Sequence, residues 1–268
     1  KKIATMTRRL EFTIIAGPNG AGKSKLGPFY SSVKAFDGDQ LAMKLRKEHP
    51  DWKDSWIEGT VISTLMKEKD EAIILKKNYA FETNFSSDLP VNLIKDFKNA
   101  NYKICLIYFG LSHIIDSSTR VDQRHILGGH NVNQDVIEYN FTEGIKRVRA
   151  SLPLFENILF IDGTSDFGDI VAIHIEKSGK HQITDHPAEW FDKYFKEAFD
   201  ALVDGEEYCV VRTGLPIKDG KVNVVAAMEL IVDESEVIRN EKCANEAIRI
   251  EKKYADYQNV EVAKLVEV

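Results

Sequence analysis

The chain has 268 residues, 43% of them hydrophobic and 29% charged, with 36 Lys and Arg against 42 Asp and Glu for a net charge of −6. That length builds one large α/β domain, or one domain with an appendage, and the composition is that of an ordinary soluble globular protein. No apolar run reaches membrane-spanning length, no signal-peptide pattern opens the chain, and the acidic balance argues against a nucleic-acid partner, whose phosphates call for clustered Lys and Arg.

Residues 11–16 are expected to form a buried first strand. The run that follows, Gly17-Pro18-Asn19-Gly20-Ala21-Gly22-Lys23-Ser24, fills the pattern G-x-x-x-x-G-K-[ST] at every required place. Glycines let the backbone curl close enough for its N–H groups to surround phosphate oxygens. Lys23 can reach the β- and γ-phosphates, and the Ser24 hydroxyl can ligate Mg²⁺. A short helix from Lys23 adds the positive end of its dipole. These residues predict a nucleoside triphosphate site using ATP and Mg²⁺, with Ser24 as the protein's metal ligand.

Val33–Phe36 reads as a second short strand, running into Asp37-Gly38-Asp39 and a helix with Leu41, Ala42 and Leu45 on one face. A longer helical pattern covers 54–77, with Ile57, Val61 and Leu65 at fourfold spacing and Ile62 and Met66 beside them. Asn78–Phe81 is a third strand with Glu82-Thr83-Asn84 just beyond its end. A helix over 91–99 leads to 102–110, a near-continuous apolar run suited to a strand covered on both faces. Cys105 falls within it and reads as a buried thiol. Cys209 and Cys243 complete a set without metal-ligand spacing, which fits a reducing cytoplasm.

A helix carrying Arg120 and Arg124 is expected to stop at Gly128-Gly129, and 134–151 to form another, with Ile137, Phe141, Ile145 and Val148 on one stripe. Strands follow at 157–161, ending in Asp162-Gly163, and at 170–175, the last of the series. Pro187 suits a first helical position, ahead of a packing stripe of Trp190, Phe191, Tyr194, Phe195, Phe199 and Leu202. Strands alternating with helices imply an α/β fold with a mostly parallel sheet and helices on both faces. Ligands in such sheets bind at the carboxyl ends of the strands. After Gly205 the character changes. Tyr208–Arg212 and Val222–Val232 read as strands around an Asp219-Gly220 turn, and 240–257 as a charged helix. The chain therefore divides into a domain over 1–205 and a small α+β appendage over 206–268.

Several strand-end residues suit chemistry. A carboxylate at Asp39 can take the proton of a hydroxyl attacking the γ-phosphorus, and Asp37 competes for the role. One of the two can instead cap the helix starting near Gln40. Glu82 and Thr83 can orient Mg²⁺ or bind a substrate hydroxyl, or bond to local backbone. Arg120 and Arg124 share a helix face one turn apart and can close over phosphates as a lid, or lie on a solvated face. His130 can contact phosphate or cap the next helix. Asp162 sits like a metal-binding aspartate, although Gly163 favours a turn there.

The set Gly17–Ser24, Asp37-Gly38-Asp39, Glu82-Thr83, and Arg120 through Arg124 to Gly128-Gly129-His130-Asn131-Val132 resembles the zeta toxin family over roughly residues 10–165. The resemblance implies a P-loop kinase-like three-layer fold and a kinase that phosphorylates a sugar hydroxyl of a nucleotide sugar such as UDP-N-acetylglucosamine. It implies Lys23 and Ser24 on ATP and Mg²⁺, Asp39 as base, Glu82 and Thr83 on the sugar, and Arg120 on the transferring phosphate. Arg124 or His130 would serve as a second cation, and an antitoxin protein would be a partner. The chain departs from the family pattern at Asn133, where proline is frequent, and at Ile137-Glu138-Tyr139-Asn140, where arginines are. A kinase for another small hydroxyl compound or a polynucleotide 5′ end, and a nucleotide-responsive binding protein, are the alternative readings.

Overall fold

A computed structural model describes residues 9–126, 132–164 and 168–202, together with short strands at 209–210, 217–218 and 221–222. Most of the 206–268 appendage therefore lies outside the described residues. From the N-terminus, β1 (Glu11–Ala16) passes through the glycine-rich loop into α1 (Lys23–Tyr30). Then come β2 (Phe36–Asp37), α2 (Gly38–Glu48), α3 (Asp54–Ile74), β3 (Tyr79–Thr83) and α4 (Leu89–Asn99). β4 (Lys103–Gly110), α5 (Ile114–Ile126), α6 (Gln134–Ser151) and β5 (Asn157–Asp162) complete the parallel part. β6 (Asp169–Ile175), β7 (Lys180–Ile183), α7 (Glu189–Tyr194), α8 (Lys196–Asp200) and β8 (Cys209–Val210) follow, and β9 (Ile217–Lys218) pairs antiparallel with β10 (Lys221–Val222).

The main sheet has the order β2-β3-β1-β4-β5-β6-β7-β8. β2, β3, β1, β4 and β5 are all parallel, whereas β6 and β7 run antiparallel to their predecessors. The chain leaves β1 toward β2 and β3 on one side and later fills β4 and β5 on the other. The carboxyl end of β1 is therefore the topological switch point where α/β sheets bind ligands.

Alternation along the central strands builds two cores. Phe12, Ile14, Ile104, Leu106, Tyr108, Ile158 and Phe160 belong to one cluster, with Leu93, Ile94 and Phe97 of α4 and Trp190, Phe191, Phe195 and Phe199 of the last helices. Ile15, Ile107, Phe109, Leu159 and Ile161 belong to the other, with Leu26 and Tyr30 of α1. Successive residues of one strand thus serve opposite faces, the pattern of a sheet covered on both sides. The aromatic stripe of 190–202 packs as its spacing implies, and Cys105 is buried.

Several elements differ from expectation. Only Phe36–Asp37 of the second strand pairs in the sheet, and β3 continues through Glu82 and Thr83 rather than ending before them. Its last two residues pair in register with Ile15 and Ala16 of β1, and Asp37 lies opposite Glu82. Ile62 is exposed while Ile57 and Leu65 are buried. The series does not end at β6, because Lys180–Ile183 adds β7. The helix after Pro187 breaks at Phe195 into α7 and α8, with Ala188 rather than Pro187 at its start. Among the described residues no helix is long and apolar enough to cross a membrane.

Candidate functional site

The glycine-rich loop leaves β1 at Gly17, whose φ of 147° and position against β4 both demand glycine. A Cβ there would lie 2.2 Å from the Phe109 carbonyl oxygen. The loop closes at Gly22, which starts α1 without any side-chain cap. The first-turn N–H groups of that helix are the donors a phosphate takes.

Lys23 is buried, and its ammonium donates to three oxygens: Gly17 O at 2.8 Å, Pro18 O at 2.9 Å and Asn84 Oδ1 at 2.9 Å. Ser24 Oγ donates to Glu82 Oε1 at 2.8 Å and stands 3.5 Å from Asp37 Oδ2. Asp37 also caps α2, its Oδ1 accepting from Gln40 N–H at 3.0 Å. Asp39 occupies the first turn of α2 on the exposed side, close enough for its charge to act on Glu82. Burial pushes the Glu82 carboxyl above the usual carboxylate range. The nearby Lys23 ammonium opposes that shift, the Asp37 and Asp39 charges reinforce it, and the Ser24 hydroxyl bond opposes it. Asp37, Asp39 and Glu82 thus form an acidic wall beside Ser24 at the strand ends.

The groups that Ser24 meets, Glu82 Oε1 and Asp37 Oδ2, are oxygens, the ligand chemistry a hard cation such as Mg²⁺ requires. Among the described residues no group of three or more His, Cys, Asp or Glu could hold a metal unaided. Mg²⁺ is commonly held this way, by one or two protein oxygens with phosphates and waters completing its shell. The residues fit the ion.

The remaining candidates stand differently. Thr83 Oγ1 accepts from Phe85 N–H at 2.9 Å, a bond to local backbone. Arg120 reaches from α5 to three carbonyls: Gly20 O at 3.2 Å, Gly163 O at 2.5 Å and Thr164 O at 2.8 Å. Arg124 lies in α5 with its side chain outside the described residues, and His130 with the Gly128-Gly129 pair lies outside them altogether. Asp162 is committed to its own turn and to packing. It accepts from Thr164 N–H at 3.1 Å and from the Trp190 ring N–H at 3.1 Å.

Three residues that pattern reading does not single out also touch the loop. Ser117, fully buried, donates to Asn19 O at 2.5 Å, and Asn140 Nδ2 donates to Asn19 Oδ1 at 3.0 Å. Asn84 is the acceptor for Lys23 described above. Only Ser117 left a local signal, its position three residues before Arg120 on one helix face. Asn133 caps α6 by accepting from Asp135 N–H.

No family model matches the chain. An uncharacterized protein of Haemophilus influenzae is 24% identical over 143 residues, spanning 53% of this chain and 98% of that protein. A chain from the structure of AvrRxo1-ORF1:-ORF2 with ATP has 16% identity and a TM-score of 0.50, covering 92% of this chain and 76% of that one. A chain of the PezAT chromosomal toxin–antitoxin system of Streptococcus pneumoniae has 16% identity and a TM-score of 0.48, covering 73% and 85%. At such identities the likeness is one of fold. In fold, the chain is similar to that AvrRxo1-ORF1:-ORF2 chain, here an α/β architecture with a mostly parallel sheet and a glycine-rich loop after its first strand.

Proposed function

We propose that the chain transfers the γ-phosphoryl group of ATP to a hydroxyl of a small molecule, with a nucleotide sugar such as UDP-N-acetylglucosamine as acceptor. The observation that carries this is the acidic wall of Asp37, Asp39 and Glu82 set beside Ser24 and Lys23, which gives the phosphate loop a proton-accepting neighbour at the switch point. A likeness in fold to a structure solved with ATP supports the donor half. The nucleotide sugar rests on the resemblance of motifs.

In this reading the residues 17–24 hold the triphosphate, and Lys23 exchanges its carbonyl partners for β- and γ-phosphate oxygens. Mg²⁺, held by Ser24 with Glu82 and Asp37 behind it, neutralises phosphate charge when bound. Asp37 is engaged as a helix cap and Glu82 by Ser24. Asp39, exposed in the same acidic wall, accepts the proton of the attacking hydroxyl. Glu82, Thr83 and His130 contact the acceptor. Arg120 and Arg124 supply positive charge to the transferring phosphoryl group, for which Arg120 must leave the carbonyls of Gly163 and Thr164. The likeness to a two-component complex fits a protein partner, which by the motif resemblance is an antitoxin. The segment 206–268 is an accessory element to a kinase domain over 1–205.

The test uses purified protein with ATP and Mg²⁺. ADP release should rise when UDP-N-acetylglucosamine is added, and mass spectrometry should find phosphate on the sugar. Asp39→Asn should keep ATP binding and lose about 10²–10⁴-fold in turnover. A parallel panel of other hydroxyl compounds and 5′-hydroxyl oligonucleotides decides the acceptor class. Stimulation by a panel member but not by nucleotide sugars overturns the acceptor. ATP binding without any phosphorylated product overturns the kinase and leaves a nucleotide-responsive binding protein.

A further inference from the structure

The phosphate loop is gripped from outside at Asn19 by two different helices. Asn19 is buried, and its backbone carbonyl and side-chain oxygen are both taken. Its backbone carbonyl accepts from Ser117 of α5, and its side-chain oxygen accepts from Asn140 of α6. Asn140 is itself oriented, because its own Oδ1 accepts from Ser86 Oγ at 2.7 Å. The next loop carbonyl, Gly20 O, accepts from Arg120. Gly20 has φ 75°, and a Cβ there would meet Arg120 Cβ at 3.0 Å and Ser117 O at 3.1 Å, so α5 lies directly against the loop. In the pattern G-x-x-x-x-G-K-[ST], positions 19 and 20 are unrestricted, and nothing in that pattern calls for outside partners.

A trans peptide unit points its carbonyl and its following N–H in opposite directions. A hydroxyl holding Asn19 C=O on the α5 side therefore turns Gly20 N–H to the far side, the concave face from which loop amides meet phosphate. We infer that Ser117 and Asn140 are positioning residues for nucleotide binding. They fix the Asn19–Gly20 peptide so that its N–H is preset for a phosphate oxygen, and they do so without touching the nucleotide. This inference rests on reading the loop as a triphosphate site.

Isothermal titration of the full chain with Mg·ATP tests it. Asn140→Leu is similar in size and uncharged, and it removes the N–H that Asn19 Oδ1 accepts. Ser117→Ala removes the other grip. One hydrogen bond is worth about 0.5–1.5 kcal/mol, so each variant should bind ATP about 2–12-fold more weakly than the wild type. The discriminating readout is the pair with Asn19→Ala. If Asn140 acts through the Asn19 side chain, Asn19→Ala/Asn140→Leu should match Asn19→Ala within about twofold, because the shared interaction is already gone. Unchanged affinity in both single variants overturns the inference, as does a double variant whose loss is the product of the two singles. Should Ser117→Ala not fold, the half-exposed Asn140 still decides. A wild type that binds no ATP overturns the nucleotide reading itself, a result separable from loss in the variants alone.

Discussion

Arg120 shows how a single side chain joins distant parts of the chain. Its guanidinium spans Gly20 O of the loop and Gly163 O and Thr164 O after β5, so one fork ties the switch point to the neighbouring strand end. Carbonyls this spread are reached from two different nitrogens of the planar guanidinium, a fork that a compact ammonium on one stem does not reproduce. Arg120→Ala and Arg120→Lys should therefore both lower the melting temperature in the absence of nucleotide, with lysine failing to rescue. For a bond network worth about 1–2 kcal/mol after allowance for its partial exposure, the fall is roughly 2–8 °C. Melting curves that match the wild type would mean that the carbonyls are as well served by water. Lys23 poses the same question in miniature. Its three oxygen partners satisfy the ammonium, so triphosphate must offer stronger acceptors than two carbonyls and an amide, which charged phosphate oxygens do.

Among elements, α7 and α8 illustrate how tightly the last helices are set against the sheet. Gly110 ends β4 beneath Trp190, and a Cβ at that position would stand 2.3 Å from the indole ring. Gly110→Ala should overpack this contact, costing about 1–3 kcal/mol and lowering the melting temperature by roughly 2–12 °C. Pairing it with Trp190→Phe should recover part of the loss, and a thermal scan of the three proteins checks both statements. The elements legible in the sequence are those whose periodicity is complete. β1 and β4 are apolar runs, and α6 matches its expected bounds because its stripe of Ile137, Phe141 and Val148 is unbroken. β7 escaped because Lys180-His181-Gln182-Ile183 is short and mostly polar, and its pairing with β6 rather than its own pattern makes it a strand. In the site, the loop, Asp37 and Glu82 could be read from motif and strand ends. Asn140 could not be, since its bond to Asn19 closes over 121 residues and leaves no local spacing to find, and Ser117, whose bond closes over 98, offered only its place one turn before Arg120.

At the scale of the molecule, the antiparallel extension carries an acid sensitivity of its own. His174 and His181 face each other across β6 and β7, both buried, with Nδ1 atoms 3.2 Å apart. Burial lowers His181 to about 4, a nearby His174 and Lys196 add to the shift, and Asp200 opposes it. The unfolded chain takes this proton at its ordinary value of 6.5, whereas the folded chain resists it until about pH 4. Between those limits the unfolded state binds more protons, so stability falls as pH falls, by up to about 1.4 kcal/mol per pH unit for one group. Denaturant melts from pH 7 to pH 4 should show that slope, and His181→Asn should flatten it. An unaltered slope in the variant would assign the acid sensitivity to other groups.

The short second strand has a consequence for how the molecule can meet other proteins. β2 contributes only Phe36 and Asp37 to its border of the sheet. Two residues present too few open backbone groups to template a further strand, which is how natural sheets discourage unwanted edge-to-edge pairing. On that border, a partner chain has no rail along which to add itself by strand complementation, the mode that relies on main-chain bonds. Recognition there must be made by side chains, so a partner would select this protein by its residues and not merely by its backbone.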